Sequence, residues 1–365
     1  NSRVSPTQLR DVRIEDLLGR EPVTLELPLL RENLLGKTVL VTGAAGSIGS
    51  ELCRQIALNC PRRLVLMDQA ETPLYYLDLE LREDHPDLDL VPVVGDVTNV
   101  DTVDRVFAEY SPSKVFHAAA YKHVPLMEAN PLEAVRTNLF GTYEVGLAAA
   151  RSGCETFLLV STDKAVNPVN VMGASKNIAE RIVLELQKNF ADCRFGAVRF
   201  GNVLGSNGSV VPLFRRQLQR GVPLTVTHKD VTRYFMTIQE AAQLILQSSM
   251  LPDLKGAVAM LDMGEPVLIL NLAKDMLRCA GLPYRPGENV VFTGLRSGEK
   301  IHEELSDNAE QSLPTEIDRV SILRSSEEIA FPAELIRALE QKDLEAAIRY
   351  VLSLTQIGSS ESVTC

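Results

Sequence analysis

The stretch STDKAVNPVNVMGASK, residues 161–176, sets a hydroxyl, a carboxyl and an amine on consecutive residues, Thr162, Asp163 and Lys164, and ends on a second lysine, Lys176. Side chains of these types donate and accept protons, as acid–base chemistry on a small substrate requires. A lysine acts as a base only when part of it is neutral near pH 7. For Lys164 to be such a base, desolvation or a neighbouring positive charge would have to lower its pKa. The plainer alternative is an Asp163–Lys164 ion pair on the surface.

A second constellation lies upstream. VLVTGAAGSIGS places Gly43, Gly46 and Gly49 between an apolar run and an amphipathic one, with Ala45, Ser47 and Ile48 between the glycines. Glycines there allow a tight turn and let a pyrophosphate approach backbone N–H groups at a helix N-terminus. Asp68 ends the next apolar run, LVLMDQ, about 20 residues on, where a carboxylate can hold the adenosine ribose hydroxyls, with Gln69 beside it. Asp68 would repel a 2′-phosphate and the turn carries Ala44 and Ala45 in place of a basic residue, so NAD is favoured over NADP. Asp96 and Val97 in VVGDVTN are expected near adenine, and Ala118, Ala119 and Ala120 in HAAA are small enough for a cofactor to lie close. Tight helix–strand packing is the competing reading for the alanines.

These residues need a scaffold that brings strand ends together. TVLVTG, RLVLMD, LVPVVGD, KVFHAAA, TFLLVST and FGAVRFGNV alternate with amphipathic stretches such as SELCRQIALN and VDTVDRVFAEY. Near-continuous apolar strands separated by helices predict an α/β fold, a Rossmann-type doubly wound parallel sheet with ligands at the carboxyl ends of its strands. The pattern is less regular after Gly201, which predicts a smaller C-terminal substrate-binding domain. The expected divisions are an N-terminal arm at 1–35, a NAD-binding domain at 36–200 to which 231–250 returns, a mainly substrate-binding domain at 201–356, and a flexible tail at 357–365.

Composition narrows the classes. The chain of 365 residues is 45% hydrophobic and 23% charged, in the range of a soluble globular protein with a large core. No apolar run approaches the ~18 residues of a spanning helix, and no signal-peptide pattern is present. A net charge of −11 argues against a nucleic-acid or anionic-membrane surface, while leaving room for a small anionic ligand held by local basic residues. The six cysteines form no CxxC pair and no metal-ligand spacing with the five histidines, so they are expected to be reduced packing residues in a cytosolic protein without a metal site.

The TGxxGxxG turn, Asp68, the GDVT and HAAA strand ends, Asn138 in RTNLFGT and Lys176 in MGASK together resemble the extended short-chain dehydrogenase/reductases acting on nucleotide sugars. AAYKHVPLMEANP, STDKAVNPVNVMGASK, RFGNVLGSNGSVVPLF and GLRSGEK are similar to the bacterial nucleotide-sugar 4,6-dehydratases of surface-polysaccharide and glycan biosynthesis. The nearer match is the long, membrane-anchored type acting on UDP-N-acetylglucosamine. The resemblance runs from about Leu9 to about Leu305. It implies that the chain, which begins at Asn1, is the cytoplasmic catalytic part of an inner-membrane-anchored parent whose upstream region is absent, and a homo-oligomer.

The implied chemistry is hydride transfer from sugar C4 to NAD⁺, loss of the C5 proton, expulsion of the C6 hydroxyl as water, and return of the hydride at C6. By the same resemblance Asp163 is the acid for the C6 oxygen, Lys164 the base at C5, and Thr162 a partner of the C4 oxygen. Lys176 and Asn138 belong to the cofactor side. Met172 stands where the superfamily has a tyrosine that moves the C4 hydroxyl proton. The long dehydratase type shares this methionine, so the expected relay runs through Thr162 with Lys176 and a water or Asp163. Tyr121 is an alternative. Substrate contacts are implied for Lys122, His123, Asn202, Ser209, Val210, Met236, Arg233 and Arg296, the two arginines on the pyrophosphate, and for Glu299 on the uridine ribose. Three competing functions stay open: a C5-inverting dehydratase, a nucleotide-sugar 4-epimerase, and a non-enzymatic NAD-binding sensor or scaffold.

Overall fold

The computed structural model describes residues 27–325 and 331–360. Six apolar runs form parallel strands: β1 (Thr38–Thr42), β2 (Arg63–Asp68), β3 (Asp89–Val94), β4 (Lys114–His117), β5 (Thr156–Val160) and β6 (Arg194–Arg199). Their order is β6-β5-β4-β1-β2-β3, so the chain first builds outward from β1 and then crosses to its other side. That reversal leaves a crevice between β1 and β4 at their carboxyl ends, where open α/β sheets bind ligands.

The strands read as unbroken apolar runs because both faces of the sheet are covered. Leu40, Val65, Val115, Phe157 and Phe195 pack into one core, and Val39, Val41, Leu64, Leu66, Phe116 and Leu158 into another. Successive residues of a strand point to opposite faces, which places neighbours such as Leu40 and Val41 in different cores.

The sheet is larger than the alternating pattern implied. Beyond β6 it continues through Ala257–Leu261, parallel to β6, and then the antiparallel strands Val320–Ser325 and Glu310–Pro314. The helix Ile238–Ser248 packs on Ser47–Ala57, the helix that follows β1. The helix Leu344–Ser360 packs on Val171–Asn189. The expected boundary, 201–356 as mainly one substrate domain, is therefore corrected. The separate small core draws on Leu204, Val211, Phe214, Leu224, Val226 and Val231, and on Ile269 to Val290. The intervening and later elements complete the main sheet.

The expected arm lies outside the described residues up to 26. Leu27–Leu34 is a helix whose Leu30 and Leu34 are fully buried. At the other end, helix runs through Ser360, so 357–360 are helical where a flexible tail was expected, and 361–365 lie outside the described residues. Among the described residues no helix is long and apolar enough to cross a membrane.

Candidate active site

The glycine turn is built for close approach. Gly43 has φ +67°, a conformation that disfavours side chains, and a Cβ there would come within 2.6 Å of the Ala119 backbone nitrogen. At Gly49 a Cβ would run into the Gly43 carbonyl oxygen. Asp68 orders this turn from β2: its two carboxylate oxygens accept from Ala45 N at 2.9 Å and Ala70 N at 2.8 Å. The helix Ser47–Ala57 opens at the turn without a side-chain cap, leaving backbone donors and the positive end of its dipole for an anion. Glycines that no side chain could replace, a free helix N-terminus and a carboxylate at the end of β2 fit a dinucleotide. Ser47 Oγ also accepts from Asn207 N at 3.1 Å, tying this turn to the loop before helix Val210–Arg220.

Some expected cofactor residues have other roles. Asn138 is fully buried, and its amide accepts from Tyr121 N at 2.9 Å and donates to Tyr121 O and Ser175 Oγ. It is a clamp for the Tyr121 backbone, with no side-chain atom left for a ligand. Val97 is a core residue packed against Gly141, so only its backbone can face a ligand. Asp96 spends Oδ1 on Thr98 N, and Gln69 donates to the Tyr121 hydroxyl at 3.3 Å. Ala118, Ala119 and Ala120 are half-buried at the end of β4 and Ile48 in the first turn of its helix.

The residues expected to handle protons meet at the end of β5. Thr162 caps a short 3-10 turn, Asp163–Ala165, and its hydroxyl donates to Asp163 Oδ1 at 2.9 Å. Lys164 Nζ donates to the same Oδ1 at 2.9 Å and to Asn202 Oδ1 at 3.1 Å, and lies 3.5 Å from Glu303 Oε1. Asp163 is fully buried and its Oδ2 has no partner. A buried carboxylate oxygen left unpaired is costly, which marks this atom as waiting for a donor.

Lys164 departs from expectation. Burial pushes its pKa down, but the Asp163 and Glu303 carboxylates more than offset this, and the net direction is up. The resting group is an ammonium ion. The lysine that moves down is Lys176: burial lowers it to about 8, with the Glu180 carboxylate opposing. Lys176 Nζ donates to Val160 O at 2.7 Å, which leaves N–H capacity for ligand hydroxyls. Met172 is packed in the apolar core and offers no proton.

Helix Val171–Asn189 is pressed against this turn because Gly173 lacks a side chain; a Cβ there would strike the Lys164 carbonyl oxygen. Its N-terminus is capped by Asn170 Oδ1 on Gly173 N at 2.7 Å, while Glu128 accepts from Val171 N. Beneath it the buried Arg199 bridges Glu180 and Glu310, and Ser161 donates to Glu180. None of Glu128, Glu180, Arg199, Glu303 and Glu310 stands out in the sequence as a site residue.

The expected substrate side is only partly assembled. Arg233 is buried with its Nη donors engaged, Nη1 on Thr232 O and Ile301 O and Nη2 on Lys300 O and Glu299 Oε1, while its Nε lies 3.7 Å from Glu303 Oε1. It gathers the 299–303 segment and is not free to hold a pyrophosphate, which corrects its expected role. Glu299 is likewise bound by Thr227 Oγ1 and Arg296 N. Met236 is fully buried in the sheet's core and cannot line a substrate site. Arg296, Lys122 and His123 are exposed, and the His123 ring lies against Gly208. Ser209 precedes the helix that starts at Val210, and its buried hydroxyl has no partner.

A family model described as polysaccharide biosynthesis protein matches residues 39–325. The capsular polysaccharide biosynthesis protein CapD of Staphylococcus aureus is 49% identical over 298 residues, 81% of this chain and 49% of that protein. This chain thus spans about half the length of that relative. An inverting UDP-N-acetylglucosamine 4,6-dehydratase of Campylobacter jejuni is 29% identical over 288 residues, covering 78% of this chain and 81% of that enzyme. Among solved structures, Pen from Bacillus thuringiensis superposes with a TM-score of 0.72 at 31% identity, covering 82% of this chain and 89% of that one.

Proposed function

This chain belongs to the polysaccharide biosynthesis protein family, and from that premise we propose that it catalyses NAD-dependent 4,6-dehydration of UDP-N-acetylglucosamine with retained C5 configuration. The observation that carries the reading is the hydrogen-bonded set Thr162, Asp163 and Lys164 at the end of β5. The Campylobacter dehydratase supports the reaction class. The glycine turn and Asp68 would hold the dinucleotide, and Lys176 its nicotinamide ribose. Bound there, NAD⁺ supplies the acceptor for the C4 hydride and its return to C6.

The resting Lys164–Asp163 pair carries one proton too many on the amine and one too few on the carboxylate for elimination. Transfer of one proton along their 2.9 Å hydrogen bond produces a neutral base and a carboxylic acid together, without changing the pair's charge. Lys164 then takes the C5 proton, and the C5–H electron pair becomes the C5–C6 double bond. The C6–O bond breaks, and the oxygen leaves as water with the proton of Asp163. The pair is again ammonium and carboxylate. Lys164 returns its proton to C5 on the face it came from, which retains configuration. The C4 hydroxyl proton passes through Thr162 and a water to Lys176 in its neutral form, which a pKa lowered to about 8 keeps accessible, is held there, and finally restores the pair. The proton lost in water is thereby replaced.

Incubation with UDP-N-acetylglucosamine in D2O, followed by proton NMR without added reductant, tests this. The expected product has a C6 methyl signal, a hydrated 4-keto carbon and the gluco configuration at C5. Inversion at C5 would remove the retaining assignment. Unchanged sugar beside bound NAD would remove the dehydratase reading altogether.

A further inference from the structure

Glu303 lies in the segment that follows the GLRSGEK stretch, far in sequence from Lys164, yet its Oε1 is 3.5 Å from Lys164 Nζ and 3.7 Å from Arg233 Nε. It is buried, with only 7% of its surface exposed. A buried carboxylate between a lysine and an arginine is held by both, and its charge acts at short range in a medium that screens it poorly.

The segment bearing it is clasped to the lysine turn at several points. Asn170 Nδ2 donates to Gly298 O at 2.8 Å, Lys300 Nζ to Val166 O at 3.1 Å, and Asn167 Nδ2 to Glu304 Oε2 at 3.3 Å. Arg233 binds two carbonyls, of Lys300 and Ile301, and the Glu299 carboxylate in the same stretch. Gly298, at φ +72°, makes the approach to Asn170 achievable, since a Cβ there would lie 2.6 Å from the Asn170 Cβ. Glu303 therefore has a fixed position relative to Lys164.

We propose that Glu303 is a positioning residue that holds the Lys164 amine toward Asp163 and sets its proton affinity, so that the clasp from Gly298 to Glu304 governs how readily the pair reaches its reactive form. This rests on the reading of Lys164 as the C5 base. The charged groups facing Lys164 are Asp163 on its own turn, Glu303 on the clasp and Arg233 on the strand Thr232–Arg233. Helix Val171–Asn189 contributes Lys176, whose amine is turned to Val160 O. Asp163 and Glu303 favour the ammonium and Arg233 opposes it, so removal of the Glu303 charge lowers the affinity of Lys164 for its proton.

The test reads Lys164 directly. The full chain is acetylated with acetic anhydride across a pH series, and modification at Lys164 is followed by peptide mass spectrometry in the parent, Glu303→Gln and Glu303→Asp. The labelling midpoint is expected about one pH unit lower in Glu303→Gln. Glu303→Asp, with its carboxylate drawn back, is expected to fall between the two. An unmoved midpoint in Glu303→Gln overturns the proposal, and should that variant not fold, a midpoint in Glu303→Asp identical to the parent's does so. A residue with a merely structural part would change the melting temperature and leave the midpoint in place. The labelling needs no turnover, so failure of the dehydratase assay and failure of this inference are separate results.

Discussion

Lys164, partly buried, and Lys176, buried, are amines at the carboxyl edge of one sheet, and the protein drives them in opposite directions. Lys164 sits in a turn where two carboxylates and an amide oxygen surround its Nζ, and it is held as an ammonium ion. Lys176 sits one helical turn inside Val171–Asn189, with a backbone carbonyl as its bonded acceptor, and is lowered to about 8. Burial is common to both; the difference lies in what else was buried with them. Glu180, the carboxylate near Lys176, accepts from Arg199 and Ser161, whereas Asp163 accepts directly from Lys164 and Glu303 lies 3.5 Å from its amine.

The comparison assigns different work to each amine, and removing them should break catalysis differently. Lys164→Met is expected to lower turnover of UDP-N-acetylglucosamine by about 10³- to 10⁴-fold with NAD binding unchanged, the size of a lost general base. Lys176→Met should weaken NAD binding as well, measured by isothermal titration. If Lys164→Met still exchanged the C5 hydrogen with solvent deuterium at the parent rate, the two amines would have been assigned the wrong way round.

A stability experiment probes the charge that separates them. Arg199 and Glu180 are bonded at 2.7 Å with both side chains buried, and Arg199 has Glu310 as a second partner. Breaking a buried pair by removing one partner costs about 3–5 kcal/mol. Glu180→Ala is expected near the lower end of that range because Glu310 remains, as read by urea unfolding, and should lower the proton affinity of Lys176 further. A loss under ~1 kcal/mol would show that the network adds little to the fold.

The glycine turn and the parallel strands could be read in advance because their signals are local. Gly43, Gly46 and Gly49 mark a turn by their spacing, and β1 to β6 announce themselves as apolar runs between helices. The upward direction of the Lys164 shift comes from Asp163, its neighbour in sequence, and from Glu303, whose part could not be read because folding brings it in. Arg233 misled for a related reason. A basic residue in a matched motif suggests a phosphate contact, but its acceptors are mostly backbone carbonyls, which every residue carries and no side chain advertises. The return of Ala257–Leu261 and 310–325 to the main sheet was hidden because strand partners are chosen by long-range pairing.

Thr162 connects the comparison to the missing tyrosine. Its hydroxyl donates to Asp163 at 2.9 Å and accepts weakly from Lys164 N at 3.4 Å, so it can pass a proton only where a second partner arrives from the substrate. Thr162→Val removes the hydroxyl at nearly constant volume and is expected to lower kcat by about 10- to 100-fold, less than the loss of a full acid–base group. Turnover at the parent rate would eliminate the relay and leave Lys176, or Tyr121, to take the C4 proton without it.

The smallest expected effect concerns His117, whose ring is lowered to about 3 by burial and by the nearby charge of Lys176. Its Nε2 meets Thr142 Oγ1 at 3.1 Å, and Thr142 gives its own proton to Asn138 O, so Nε2 carries the hydrogen and Nδ1 accepts from Thr42 Oγ1 at 2.7 Å. The unfolded chain protonates this histidine near 6.5, well before the folded one does. Its contribution to stability is therefore complete above pH 6.5 and is lost progressively as the pH falls toward 3. At pH 5 the loss from this group is about 2 kcal/mol. Unfolding free energies at pH 7 and pH 5 should differ by that much less in His117→Asn than in the parent. An equal difference in the two proteins would mean that His117 is protonated with little penalty in the folded state, and hence that the charge on Lys176 is screened from the wall of the cofactor crevice.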